Sequence, residues 1–125
     1  MKNVLVLDDN KQICEAISMR IRKHVPGCRV LIAGDGAQGE SILSNTAIDL
    51  VLTDLAMPIM NGYALIERAK KLFPNLPICV MSANCSPDVI KKLQALGVVR
   101  WIEKPFNFEK VVQMVAEELN MEYNN

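Results

Sequence analysis

A small set of polar side chains stands directly after short apolar runs that are typical of buried strands. The set holds three carboxylates, one hydroxyl and one ammonium: Asp8, Asp9, Asp54, Ser82 and Lys104. Carboxylates that are brought close together repel one another, so at neutral pH they need a cation or one of them must hold a proton. Hard carboxylate oxygens suit Mg²⁺ or Mn²⁺, and Mg²⁺ commonly shares its remaining positions with water and phosphate. These residue types therefore indicate metal-assisted chemistry at a phosphoryl group.

Asp54 is the candidate nucleophile of this set. It follows the apolar run of the stretch LVLTDLAMPIMNG, Leu50 to Gly62. A carboxylate can attack a phosphoryl donor and form an acyl phosphate. The metal and Lys104 would offset the charge on the phosphoryl oxygens, and Ser82 would hydrogen-bond to one of them. Because the set has no obvious general base for an outside substrate, we predict that Asp54 itself carries the phosphoryl group.

The composition is that of one globular domain with its own core. The chain has 125 residues, half of them apolar, and its 14 basic and 14 acidic residues give a formal charge of zero. No basic excess is available to hold a nucleic-acid backbone, so no direct nucleic-acid contact is expected. No run of about 18 or more apolar residues predicts a membrane span, and the N-terminus MKNVLVLDDN does not resemble a signal peptide. We therefore expect a cytoplasmic protein.

The four cysteines show neither a CxxC pair nor a Cys/His spacing that is typical of metal ligands. We expect reduced and mostly buried thiols at Cys14, Cys28, Cys79 and Cys85, of which Cys85 is nearest to the proposed site.

Apolar runs and helical patterns alternate five times along the chain, which favours an α/β domain with a parallel sheet covered on both faces. The predicted strands are Val4–Leu7, Arg29–Ala33, Ile48–Thr53, Ile78–Met81 and Val98–Ile102. Since connections between parallel strands are right-handed, the carboxyl ends of all five strands share one edge. The polar set is scattered over nearly the whole sequence, yet this topology brings it to one crevice.

Capping residues and apolar spacing define the five predicted helices. The first begins at Asp9 or Asn10 and ends at Pro26-Gly27, and the second covers Gln38 to Asn45 with a thin apolar stripe and an unfavourable Gly39. The third is capped by Asn61, the fourth by Ser86 with Pro87 in its first turn, and the fifth by Asn107. The predicted buried stripes of these last three are Leu65, Ala69 and Leu72; Ile90, Leu93 and Leu96; and Phe108, Val111, Val112, Val115 and Leu119.

Four segments in the right order resemble the response-regulator receiver domain of two-component signalling: VLVLDDN, LVLTDLAMPIMNG, CVMSAN and WIEKPF. The resemblance covers essentially the whole chain. It implies a single (βα)5 flavodoxin-like, doubly wound parallel sheet with strand order 2-1-3-4-5. We expect the receiver domain at residues 1–120 and a polar, frayed C-terminal tail at residues 121–125.

The resemblance also implies roles for the residues that match the family's motifs. Asp54 is the phosphoacceptor, and Asp8 and Asp9 hold Mg²⁺ (or Mn²⁺) together with Asp54 and the backbone carbonyl of Ala56. Ser82 is the switch hydroxyl and Lys104 the phosphate-contacting lysine, with a cis bond expected between Lys104 and Pro105. Trp101 corresponds to an aromatic residue that changes position on activation.

The partners implied by the family are proteins. A sensor histidine kinase or a phosphotransfer protein would supply the phosphoryl group, and a downstream effector protein or a fused output domain would receive the signal. The family also allows a phosphorylation-dependent homodimer. The dimer of winged-helix regulators is not assumed, because Gly97 to Arg100 lacks an acidic residue and the last helix carries Lys110 but no arginine.

Several residues have plainer alternative roles. Asp9 could only cap the first helix, Ser82 could only bond to local backbone, and Trp101 could only pack against the core. Ala56 and Asn84 depart from the family's common pattern in the path of the hydrolytic water, which leaves the dephosphorylation rate open.

Two functions from other classes compete with the receiver hypothesis. One is a phosphorylation-independent pseudo-receiver that acts only as an interaction module. The other is a phosphatase or hydrolase with an Asp nucleophile that acts on outside substrates; the absence of a cap domain and of a second catalytic acid argues against it.

Overall fold

The computed structural model describes all 125 residues and contains five strands that alternate with five helices. The strands are β1 (Lys2–Leu7), β2 (Cys28–Ala33), β3 (Leu50–Asp54), β4 (Ile78–Ser82) and β5 (Arg100–Glu103). The helices are α1 (Lys11–His24), α2 (Gly36–Asn45), α3 (Gly62–Leu72), α4 (Pro87–Ala95) and α5 (Phe108–Glu118). No helix is long and apolar enough to cross a membrane.

The five strands form one parallel sheet in the order β2-β1-β3-β4-β5. This confirms the predicted fold class and strand order. Because β2 and β3 lie on opposite sides of β1, the order reverses between β1 and β3, and a crevice opens there at the carboxyl ends of the strands. The residues that lie at the carboxyl ends of β1 and β3 are therefore at the position where such sheets bind their ligands.

Alternate residues of the central strands serve two separate cores, one on each face of the sheet. Val4 and Val6 of β1 point into a cluster of 16 buried residues that includes residues of α1 and α5. Leu5 and Leu7 point the other way, into a cluster of 15 buried residues that includes residues of α2, α3 and α4. Both faces are covered, which explains why the strands are continuously apolar in sequence.

Strand ends differ from the predicted ones by up to two residues. β3 begins at Leu50 rather than Ile48 and includes Asp54 as its last residue. β5 begins at Arg100 rather than Val98. Gly97 has a φ of +86°, and the next N–H, that of Val98, bonds back to the carbonyl of Leu93 at 3.0 Å, so the chain is still closing α4 where the strand was predicted to begin.

Gly39 lies inside α2 for a packing reason. A Cβ at this position would overlap the Cδ2 atom of Leu7 in the strand beneath. The helix therefore accepts the lower propensity of glycine in order to approach the sheet closely. It also starts earlier than predicted, at Gly36, because the side chain of Asp35 accepts the Gln38 N–H at 2.8 Å as an N-cap.

Three helix predictions were wrong in detail. In α4, Val89 packs against the core where Ile90 was predicted to do so. Leu72, placed on the buried stripe of α3, is 60% exposed, and Ile66 is buried in its place beside Leu65 and Ala69. The reason is that α3 ends at Leu72, where the chain leaves the sheet. Ser86 occupies the N-cap position of α4, but its side chain makes no capping hydrogen bond.

The C-terminal tail packs against α1 rather than fraying. The ring of Tyr123 stacks on that of His24 with centroids 5.0 Å apart. The Asn124 N–H donates to the His24 carbonyl at 2.6 Å, and the Asn124 carbonyl lies 2.7 Å from the ring Nδ1 of His24. Contacts with the end of α1 therefore hold the polar tail.

Candidate functional site

Asp8 and Asp9 directly follow β1 at the crevice edge. Asp8 is 1% exposed, and its Oδ1 accepts the Asn10 N–H at 2.9 Å. Asp9 is exposed to solvent. The N-cap of α1 is Asn10, whose Oδ1 accepts the Ile13 N–H at 3.2 Å, so capping does not account for Asp9.

Asp54 ends β3, which is buried along its whole length. Its side chain is turned into the crevice, where Oδ1 accepts the Leu55 N–H at 2.7 Å. The backbone of Asp54 is covered by the start of α3: a Cβ on Gly62 would overlap the Asp54 carbonyl oxygen, and the Gly62 N–H bonds to the Leu55 carbonyl at 2.9 Å. The Asn61-Gly62 pair thus caps α3 and lets it start directly against the strand end.

Lys104 joins the two strand ends. Its Nζ donates to Asp8 Oδ2 at 2.6 Å and to Asp54 Oδ2 at 3.1 Å. The peptide bond from Lys104 to Pro105 is cis, as predicted. Partial burial acts to lower the pKa of the Lys104 ammonium, but the hydrogen bond to Asp8 and the charge of Asp54 outweigh it, so the pKa lies above its usual value. Lys104 is therefore charged at neutral pH.

The charges in the crevice do not balance. The carboxylates of Asp8, Asp9 and Asp54 can each offer an oxygen within 4.8 Å of the others, and Lys104 supplies one positive charge against their three negative ones. The remaining charge of about −2 and the hard oxygen donors fit a divalent cation such as Mg²⁺. The Ala56 carbonyl, two residues after Asp54, accepts no hydrogen bond within the chain, so it is available as a further oxygen donor.

Ser82 lies at the same edge, but its hydroxyl is engaged elsewhere. It is buried at the end of β4, donates to the Asn84 carbonyl at 2.9 Å and accepts the Asn84 N–H at 3.1 Å. The structure thus brings Asp8, Asp9, Asp54 and Lys104 together and places Ser82 beside them in a local hydrogen-bonded turn.

Trp101 lies in β5, opposite Val80 of β4. It is partly buried and packs against the core on the α2, α3 and α4 side of the sheet. The side chain of Trp101 therefore has a packing role in this conformation.

The hydrogen bonds of Asn84 were not predicted from the sequence. Its Oδ1 accepts the Ser86 N–H at 2.9 Å, and Asn84 lines a shallow cavity of about 480 Å³ together with Ala56 and Tyr63. The signal was present, because Asn and Ser two residues apart favour local turns.

The sequence is similar to those of known signalling proteins. Residues 4–116 match the family described as the response regulator receiver domain. The chain is 29% identical over 118 residues to the transcriptional regulatory protein GlrR of Escherichia coli, which covers 94% of this chain and 26% of that protein. It is 32% identical over 120 residues to the hybrid signal transduction histidine kinase D of Dictyostelium discoideum, which covers 94% of this chain and 8% of that protein.

The fold is similar to solved structures as well. A CheY-like response regulator receiver domain protein from Methanospirillum hungatei superposes with a TM-score of 0.88 at 26% identity, covering 96% of this chain and 94% of that one. The chain spans about a quarter of the length of the transcriptional regulators that it matches, at 24% to 26%.

Proposed function

The chain belongs to the response regulator receiver domain family of two-component signalling, and we propose that it transmits a signal by accepting a phosphoryl group on Asp54. The observation that carries the proposal is the bridge from Lys104 to both Asp8 and Asp54, beside the third carboxylate of Asp9. A surplus of two negative charges at a buried strand end is costly unless a divalent cation offsets it, and a cation held there can also bind the oxygens of a phosphoryl group.

In the proposed reaction, an Asp54 carboxylate oxygen bonds to phosphorus as the P–N bond of a phosphohistidine donor breaks. The departing imidazole nitrogen keeps the electron pair. A divalent cation held by Asp8, Asp9, Asp54 and the Ala56 carbonyl would offset the charge of the phosphoryl oxygens. The Lys104 ammonium would turn from the carboxylates to a phosphoryl oxygen, and the Ser82 hydroxyl would donate to another.

The proposed partners follow from this chemistry. A sensor histidine kinase or a phosphotransfer protein supplies the phosphohistidine, and an effector protein or an attached output domain responds to the change of surface at Ser82 and Trp101. No outside substrate is turned over, because the chain's reaction ends on its own carboxylate. Such partners place the protein in the cytoplasm.

Phosphorylation by a small-molecule donor tests the proposal. The protein is incubated with Mg²⁺ and acetyl phosphate, and its intact mass is recorded. We expect one phosphoryl adduct in the unsubstituted protein and none in Asp54→Asn. Asp88→Asn, which removes an acidic residue of α4 outside the site, serves as the matched control and should keep the adduct.

An adduct that persists in Asp54→Asn would contradict Asp54 as the acceptor. Absence of any adduct, both with acetyl phosphate and with a phosphorylated histidine kinase, would favour the interaction module that acts without phosphorylation. Release of more than one equivalent of phosphate from a simple phosphate ester would instead indicate a hydrolase.

A further inference from the structure

Three hydrogen bonds in the loop between β4 and α4 involve Asn84. Its backbone accepts from the Ser82 hydroxyl at 2.9 Å and donates to the same oxygen at 3.1 Å. Its side-chain Oδ1 accepts the Ser86 N–H at 2.9 Å. One residue therefore contacts both the last residue of β4 and the residue that precedes α4.

The Ser82 hydroxyl has a single proton, which it donates in a hydrogen bond to the Asn84 carbonyl. A phosphoryl oxygen on Asp54 can only receive that proton if the bond to Asn84 breaks. The carbonyl of Ser82 is fixed independently, because it accepts the Lys104 N–H at 2.8 Å. Hence the release of the hydroxyl requires rotation of the Ser82 side chain away from the Asn84 carbonyl or a movement of that carbonyl, and not a shift of the strand.

The side chain of Asn84 bonds to the residue at the N-cap position of α4, without replacing the missing cap of the first helical turn. Ser86 makes no capping bond with its side chain, and Pro87 at the first turn has no N–H to be satisfied. The Asn84 amide oxygen satisfies the Ser86 N–H and thereby fixes the peptide whose carbonyl faces Ser82. The start of α4 and the position of the Ser82 proton thus depend on the same side chain.

The structure has room for this connection to move. The cavity of about 480 Å³ next to the site is lined by Ser82 and Asn84 on one side and by Ala56 and Met57 on the other. Ala56 has no side chain beyond Cβ to fill the space.

We infer that Asn84 is a positioning residue that keeps the Ser82 hydroxyl in its resting bond and couples its release to the start of α4. The inference rests on the proposed function, because it assigns Ser82 a partner on phosphorylated Asp54. It predicts that weakening the Asn84 turn favours the state in which Ser82 is free.

The test uses beryllofluoride with Mg²⁺ as a mimic of the phosphoryl group, and measures its binding to the full chain by calorimetry and fluorine NMR. We expect Asn84→Ala to bind it about threefold to fivefold more tightly, since one resting hydrogen bond is lost. Asn84→Ser keeps an acceptor for the Ser86 N–H and should stay within about twofold of the unsubstituted protein. An aspartate would be a poor control, because it adds a negative charge beside the site.

The decisive measurement repeats Asn84→Ala in a Ser82→Ala background. If Asn84 acts through Ser82, its effect on beryllofluoride affinity vanishes when the hydroxyl is absent. An equal effect in both backgrounds, or no effect in either, overturns the inference while leaving the proposed function intact. Failure of the unsubstituted protein to bind beryllofluoride overturns the proposed function and the inference with it.

Discussion

Lys104 is bonded to two of the three carboxylates, those of Asp8 and Asp54, and both of these are proposed metal ligands. Its bonds of 2.6 Å to Asp8 and 3.1 Å to Asp54 must compete with metal binding. We therefore expect Lys104→Met to bind Mg²⁺ about tenfold more tightly, because a like charge is removed from the metal's surroundings. Calorimetric titration with MgCl₂ measures this directly.

The same substitution should lower the free energy of unfolding by about 1–3 kcal/mol without Mg²⁺, since Asp8 and Asp54 lose their counter-charge. Added Mg²⁺ should recover most of this loss. Lys104→Arg keeps the charge and serves as the control. Weaker Mg²⁺ binding in Lys104→Met would mean that the lysine orders the carboxylates more than it competes for them.

At this scale, the sequence predicted which residues meet but not every bond that they make. Asp8, Asp54 and Lys104 converge because each follows a parallel strand, and strand ends follow from simple apolar runs. The partner of Ser82 was not predictable in this way. It depends on the path of a short loop, which brings the backbone of Asn84 within hydrogen-bond distance of the hydroxyl.

Helix α3 begins so close to the end of β3 that its first residue must be glycine. In Gly62→Ala the new Cβ would overlap the Asp54 carbonyl. Because this is a backbone atom of a buried strand, it cannot move to relieve the overlap. In Gly39→Ala the overlap is with the end of the Leu7 side chain, which can change rotamer. We expect a loss in the free energy of unfolding of about 2–4 kcal/mol for Gly62→Ala and about 1–2 kcal/mol for Gly39→Ala.

Urea unfolding followed by circular dichroism measures both variants. Gly34→Ala is the matched control, because its Cβ would lie 3.7 Å from the nearest atom, an ordinary contact. A larger loss in Gly39→Ala than in Gly62→Ala would show that the core beneath α2 is less adjustable than the strand end.

The kind and order of the elements were predictable, whereas their ends were not. Apolar periodicity identified all five strands and five helices, since each must bury one face or both. The start of β5 was misplaced because Val98 and Val99 look like strand residues, while the N–H of Val98 belongs to the turn that closes α4. Leu72 was misplaced because periodicity does not reveal where a helix leaves the sheet.

For the molecule as a whole, the buried thiols link stability to alkaline pH. Burial raises the pKa of Cys14 to about 11 and that of Cys79 to about 12, from 9.0 for a free thiol, and both belong to the core between the sheet and α1 and α5. Above pH 9 the unfolded chain releases these protons while the folded chain retains them, so stability falls as pH rises. We expect a loss of about 2–3 kcal/mol between pH 8 and pH 10.

Urea unfolding in the presence of a reductant, at several pH values, checks this expectation. Cys79→Val fills a similar volume without a titratable group, and it should remove about half of the pH dependence. A pH profile unchanged by Cys79→Val would mean that other thiols, such as Cys28 whose pKa is also raised by burial, dominate the alkaline loss.

The hydrogen bond between Lys104 and Asp8 joins residues that are 96 positions apart. A ribosome that has reached residue 100 has already made Asp8, Asp9 and Asp54, but not the lysine that bonds to Asp8 and Asp54. The Asp54 carboxylate is thus synthesised long before the site around it can assemble. A nascent chain without β5 and Lys104 therefore has no assembled crevice, and under the proposed function it cannot yet take a phosphoryl group.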